Sequence, residues 1–94
     1  MNRYRIILSL LMTAIISGTV SKIDFVGSTV SILTADQHQM SFFVPGNAII
    51  TRETHDIGLM DIKEGHPVTI KYDISSSGRN SADSIVDNNP TAME

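Results

Sequence analysis

The chain has 94 residues, enough for one domain, with ten Asp and Glu against seven Lys and Arg and a net charge of −3. That acidic balance argues against nucleic acid or anionic lipid as a partner, because both require a basic surface. There is no cysteine, which excludes a disulfide, a thiolate nucleophile and a lipid-modified cysteine.

The first 17 residues have the order of a secretory signal. Asn2, Arg3, Tyr4 and Arg5 form a short basic start, and Ile6 to Ile16 runs apolar except for Ser9 and Thr13. Small residues follow at Ser17, Gly18 and Thr19. The run is short for a membrane span, which needs about 20 apolar residues. Export with cleavage near residue 17 is the expectation, and an uncleaved anchor is the other reading. Residues 18–94 then hold five basic against ten acidic residues, a charge of about −5.

Past this segment β-branched residues dominate and no helical period is present. Thr19 to Phe25 reads as a first strand. Val20 and Ile23 stand three apart in it, so a β-bulge is needed to bring both to the core face. A turn at Val26-Gly27-Ser28 leads to a second strand, Thr29 to Thr34, with Val30 and Ile32 on one face and Ser31 and Leu33 on the other. Ala35 to Gln39 is the next turn, and Met40 to Val44 a third strand stopped by Pro45-Gly46. These closely spaced hairpins predict a meander. Residues 45–66 are irregular, with a short strand at Ala48 to Thr51 and one helical turn at Asp61 to Gly65. Asp61 is its expected cap, Glu64 its capping-box partner and Gly65 its left-handed exit. Val68 to Ile74 alternates cleanly. Ser75 to Ser81 is a flexible turn, Ala82 to Val86 the closing strand, and the polar residues from Asp87 onward a tail.

The pattern predicts an all-β fold, a small five- to six-stranded barrel of the OB type, preceded by a signal-peptide helix. Its divisions are residues 1–17 as signal, 18–87 as barrel and 88–94 as a disordered polar tail. Phe42 and Tyr72 are expected in the core.

Catalytic chemistry finds no foothold. No serine stands in a Gly-x-Ser-x-Gly elbow, Ser75 to Ser77 beside Gly78 is turn composition, and the acids lie at strand ends. No phosphate-cradling glycine loop and no zinc-spaced cluster is present. The expectation is a non-enzyme with no catalytic residue and no cofactor, binding an unknown protein or small ligand. No nucleic acid is expected, and membrane contact only through an uncleaved signal. His66, between Gly65 and Pro67, and His55, beside Asp56, read as solvated. His38 and Met40 are two apart where a strand begins, and in extended chain such positions share a face. Imidazole beside thioether suits a soft ion, Cu(I) or Ag(I), with Met60 as a further donor. The other reading has Met40 filling the barrel and His38 capping a hairpin.

Taken together, Gly18 to Asp24 (G-x-V-x-x-I-D), Thr29 to Ile32, Asp61 to Tyr72 (D-I-K-x-G-x-x-V-x-I-x-Y) and Ala82 to Ile85 resemble a family of small exported bacterial β-barrels of unknown function. The same segments are similar, more distantly, to the periplasmic copper- and silver-binding chaperones, also OB-like barrels. That second resemblance implies a metal site with an M-x-M pair on the third strand, a histidine from the second and a covering tryptophan. Matching the third strand carries Met40 onto the second methionine and His38 onto the first. Ile32 and Leu33 stand where the strand-two histidine is expected, and the sequence has no tryptophan.

Overall fold

The computed structural model describes residues 13–75 and 78–89. Residues 1–12 of the expected 1–17 signal segment, Ser76 and Ser77 of the turn, and the tail beyond Asn89 lie outside the described residues. Among the described residues seven strands form: β1 (Thr13–Asp24), β2 (Thr29–Leu33), β3 (Gln39–Phe43), β4 (Ile49–Arg52), β5 (His55–Asp56), β6 (Pro67–Ile74) and β7 (Asn80–Asp87). A single 3-10 turn, Leu59–Asp61, lies between β5 and β6.

β1 is long enough to pair with a different strand along each half. Its first half, Thr13 to Thr19, pairs antiparallel with β6, and from Thr19 to Asp24 it pairs with β2. The crossover falls at Thr19, and at Gly18 beside it a Cβ would stand 2.7 Å from the Leu33 carbonyl oxygen. Only glycine lets the two backbones approach so closely. Immediately after, the register slips between Val20 and Lys22, which makes Ser21 the extra residue of the expected bulge. The bulge turns Val20 fully into the core and leaves Ile23 half-buried against it.

The meander β1-β2-β3 and the hairpin β6-β7 close on each other through one parallel bridge, Phe43 to Ser81. Around the barrel the order is β1-β2-β3-β7-β6, the OB arrangement. Further along β7, the edge that meets β3 is taken over by β4, with Ile49, Ile50 and Thr51 opposite Ser84, Ile85 and Val86. Closure leaves little open edge and encloses Val20, Val30, Ile32, Phe42, Val68, Ile70, Tyr72, Ala82 and Ile85. Phe42 and Tyr72 are both buried and meet edge to face, ring centroids 4.9 Å apart.

The differences from the sequence expectation have local causes. β1 begins at Thr13, six residues before the expected onset, so the boundary drawn at residue 17 falls inside a strand. Thr13–Ser17 alternates exposed and half-buried along β6, a pattern that a sequence read for apolar runs hides. The helical turn is Leu59–Asp61 rather than Asp61 to Gly65. Asp61 closes it from the far end, its carboxylate accepting the Gly58 N–H at 2.9 Å. Ile62 follows in extended conformation because its side chain is driven into the core. Gly65 does take the left-handed conformation, φ 92°.

The β4–β5 turn was not expected. Its two central residues, Glu53 (φ 52°) and Thr54 (φ 69°), are both left-handed, where a tight hairpin normally carries Asn-Gly. For a β-branched residue this conformation is strained. Thr54→Gly is therefore expected to raise stability by about 1 kcal/mol, read as a higher urea midpoint at unchanged slope. An unchanged or lower midpoint would contradict the assigned turn.

Candidate functional site

The β2–β3 connection positions His38. Thr34 N–H donates to the His38 carbonyl at 2.8 Å, Gln37 N–H donates to the Thr34 carbonyl at 2.9 Å, and Gln37 is left-handed at φ 71°. Thr34 Oγ1 donates to Asp36 Oδ1 at 2.5 Å, and Asp36 Oδ2 lies 3.2 Å from His38 Nδ1. The Thr34 hydroxyl, aided by the nearby His38, holds the Asp36 carboxyl below its usual value against the opposing effect of desolvation. The His38 side chain is 76% exposed. When Nδ1–H donates to Asp36, Nε2 is left with its lone pair toward solvent, the orientation a carboxylate commonly gives a metal-binding histidine.

Met40 enters β3 two residues later, half-buried and packed against the core. Its partner across the ladder is Ile32, and on the next rung Gln39 faces Leu33. β2 thus brings hydrocarbon beside Met40. Met60 sits on the 3-10 turn, 72% exposed, in the connection between β5 and β6. His55 is exposed on β5. Among the described residues no group of three or more His, Asp or Glu is placed to hold a metal ion. The donors that β3 and its preceding turn offer are one thioether and one imidazole, which suit a soft ion of low coordination number and not a hard one.

A second polar cluster escaped the sequence reading. Asp87 ends β7 with its side chain 0% exposed. Arg52 Nη2, from the end of β4, donates to Asp87 Oδ2 at 2.6 Å and to the Asp61 carbonyl at 2.8 Å. His66 Nδ1 lies 2.9 Å from the same Oδ2, and Asn89 N–H donates to Oδ1 at 2.9 Å. His66 is thus a half-buried partner of Asp87 and not the solvated turn residue expected. Arg52 Nε is buried and has no hydrogen-bond partner. Burial pushes the Asp87 carboxyl up, but Arg52, the Asn89 amide and His66 together pull it below its usual value. The available signal was parity: Asp87 follows buried Ile85 by two along β7, so it points inward as well. Both oxygens are taken up by protein groups, so the cluster ties the β4 hairpin, the 3-10 turn and the mouth of β6 to the end of β7.

With this geometry in view, the fold has counterparts among solved structures. Ag(I)-bound CusF superposes with a TM-score of 0.65 at 15% identity, covering 83% of this chain and 100% of that one. Escherichia coli CusF residues 10–88 with Ag(I) gives 0.63 at 15% identity, over 82% of this chain and 92% of the other. The apo form, residues 6–88, gives 0.60 at 17%, over 84% and 93%. The likeness is one of fold. No family model matches the sequence, and none of the curated proteins does. CusF is bound to Ag(I) in two of these structures, and a Trp-to-Ala variant is bound to Cu(II) in a further one, at a TM-score of 0.62.

Proposed function

We propose that this chain is a non-enzymatic binding barrel of the bacterial periplasm, and that its ligand is a soft monovalent metal ion, Cu(I) or Ag(I), taken up by His38 and Met40. The observation that carries the reading is the pair itself: a thioether at the start of β3, and an imidazole two residues before it whose Nδ1 is engaged by Asp36. It stands on a barrel that shares its fold with silver- and copper-bound CusF. The basic start and apolar run of residues 1–17 support placement outside the cytoplasm. The absence of an aimed nucleophile or acid–base pair in the sequence supports a binding role over a catalytic one.

Two protein donors make a modest site, completed by solvent or a receiving protein, which suits an ion that is handed on. Capture requires the Met40 thioether to swing from its packing against the core toward the turn. Anaerobic titration of the chain with Cu(I), with Ag(I) as a redox-silent control, is expected to give saturable one-to-one binding tighter than about micromolar, roughly 8 kcal/mol. Met40→Leu keeps the apolar bulk and removes the sulfur, so it is expected to abolish binding without unfolding the barrel. His38→Ala is expected to weaken it about tenfold or more. Non-stoichiometric uptake that both variants leave unchanged would overturn the metal reading.

A further inference from the structure

The outer face of β1, β6, β7 and β4 carries an ordered pattern, and His38 and Met40 lie outside it, on β3 and the turn before it. One cross-strand row reads Ile15, Lys71, Ser84, Ile49, and the next reads Ser17, Thr69, Val86, Thr51. Alternation sends Ile16, Ile70, Ile85 and Ile50 inward, toward the barrel core. Ile15 and Ile49 are left 68% and 60% exposed at the two ends of their row, and Val86 stands exposed on a strand between them. One such side chain alone would mean little, but three on a single sheet face form a patch that favours cover.

The hydroxyls of this face are already bonded. Thr69 Oγ1 lies 3.0 Å from Ser17 Oγ and accepts from Asn88 Nδ2 at 2.9 Å. Thr13 Oγ1 donates to Asp73 Oδ1 at 2.7 Å. Covering these groups strands none of them without a partner. The charges are less balanced. Asp83 is the extra residue of a bulge in β7, beside Ser84, and lies close to Asp73 and Lys71 on β6. Desolvation and the Asp73 carboxylate push the Asp83 carboxyl up, and Lys71 pulls it down. Two carboxylates thus share one ammonium, and the pair is short of a cation.

The row Ile15, Lys71, Ser84, Ile49 is its own complement. It begins and ends on an exposed isoleucine, with the ammonium on β6 and the neighbours Asp83 and Ser84 on β7 at its centre. A twofold axis parallel to the strands and midway between β6 and β7 would set Ile15 against Ile49 of a second copy. The same axis sets Lys71 against Ser84 and Asp83 of that copy, which supplies the missing cation. Such a face-to-face contact is isologous, so each pairing is made twice. We infer that the chain forms a homodimer through this face, with Ile15 on Ile49 and Lys71 on Asp83 in both directions. Four strands at about 4.8 Å spacing cover less than the roughly 800 Å² per partner of a standard interface. The dimer is therefore weak, with a Kd on the order of 100 μM.

The test is sedimentation equilibrium of the full chain from about 10 μM to about 1 mM, a range that brackets this Kd. The chain is expected to pass from monomer to dimer across it. Ile15→Thr and Ile49→Thr, at exposed strand positions, are each expected to weaken dimerisation about tenfold or more, because each contact is lost twice. Lys71→Glu and Asp83→Lys place like charges across the axis, and each is expected to abolish it. Mixed one to one, these two variants are expected to associate again, since each then meets the opposite charge on the other. A local effect within either chain cannot produce that rescue. His38→Ala is expected to leave dimerisation unchanged. A chain that stays monomeric through the whole range, self-association that Lys71→Glu does not alter, or variants that remain apart when mixed would overturn the inference.

Discussion

A chain starting at Gly18 is expected to have lost most of the stability of one starting at Thr13. Among the described residues seven rungs join β1 to β6, and five of them, Thr13–Asp73 through Ser17–Thr69, belong to residues that the shorter chain lacks. Ala14 and Ile16, half-buried against the core, go with them. So do the side-chain bonds from Thr13 Oγ1 to Asp73 at 2.7 Å and between Ser17 and Thr69 at 3.0 Å. Lost burial and lost hydrogen bonds together come to roughly 5 kcal/mol. A domain this small has about 5–15 kcal/mol in all. The edge of β6 would also stand open to another chain. Urea unfolding of the two truncations by circular dichroism reads the effect directly. Equal midpoints would show that the first half of β1 is dispensable.

The second large effect centres on Asp87. Asp87→Ala leaves Arg52 partly buried without its anion, and removing one partner of a buried pair typically costs about 3–5 kcal/mol. His66 and the Asn89 amide lose the same acceptor. Because the folded Asp87 carboxyl sits below its usual value, its contribution is complete above the unfolded carboxylate range, near pH 4. It is lost as pH falls through the lower folded value. The native chain is thus expected to lose stability on acidification, and Asp87→Asn to lose less over the same interval. Urea midpoints measured from pH 7 down to pH 3 check this. Parallel curves for the two proteins would assign the acid sensitivity elsewhere.

The barrel was legible because its strands obey period two. Val30, Ile32, Phe42, Val68, Ile70 and Tyr72 sit where alternation placed them, and the off-step pair Val20 and Ile23 called for the bulge that β1 has. What escaped was set by contacts distant in sequence. Thr13–Ser17 becomes strand only because β6 lies alongside, and nothing local separates it from the apolar run before it. His66 reads as a turn residue until Asp87, 21 residues away, is folded beneath it. The Glu53-Thr54 turn defies local preference, held by the β4–β5 pairing on one side and the Arg52 anchor on the other. Of the candidate metal pair, spacing gave proximity in the chain. The Asp36 carboxylate that orients His38 emerged only with the turn.

The most direct test of the proposed function follows both donors at once. Ag(I) is added to the chain labelled at the Met40 methyl and the His38 ring nitrogens, and NMR reads both. The account predicts that the Met40 methyl and His38 Nε2 resonances move together, saturate at one equivalent, and leave Met60 and His66 unmoved. Movement of Met60 or His66 first, or a His38 ring that stays in place while silver binds, would contradict it.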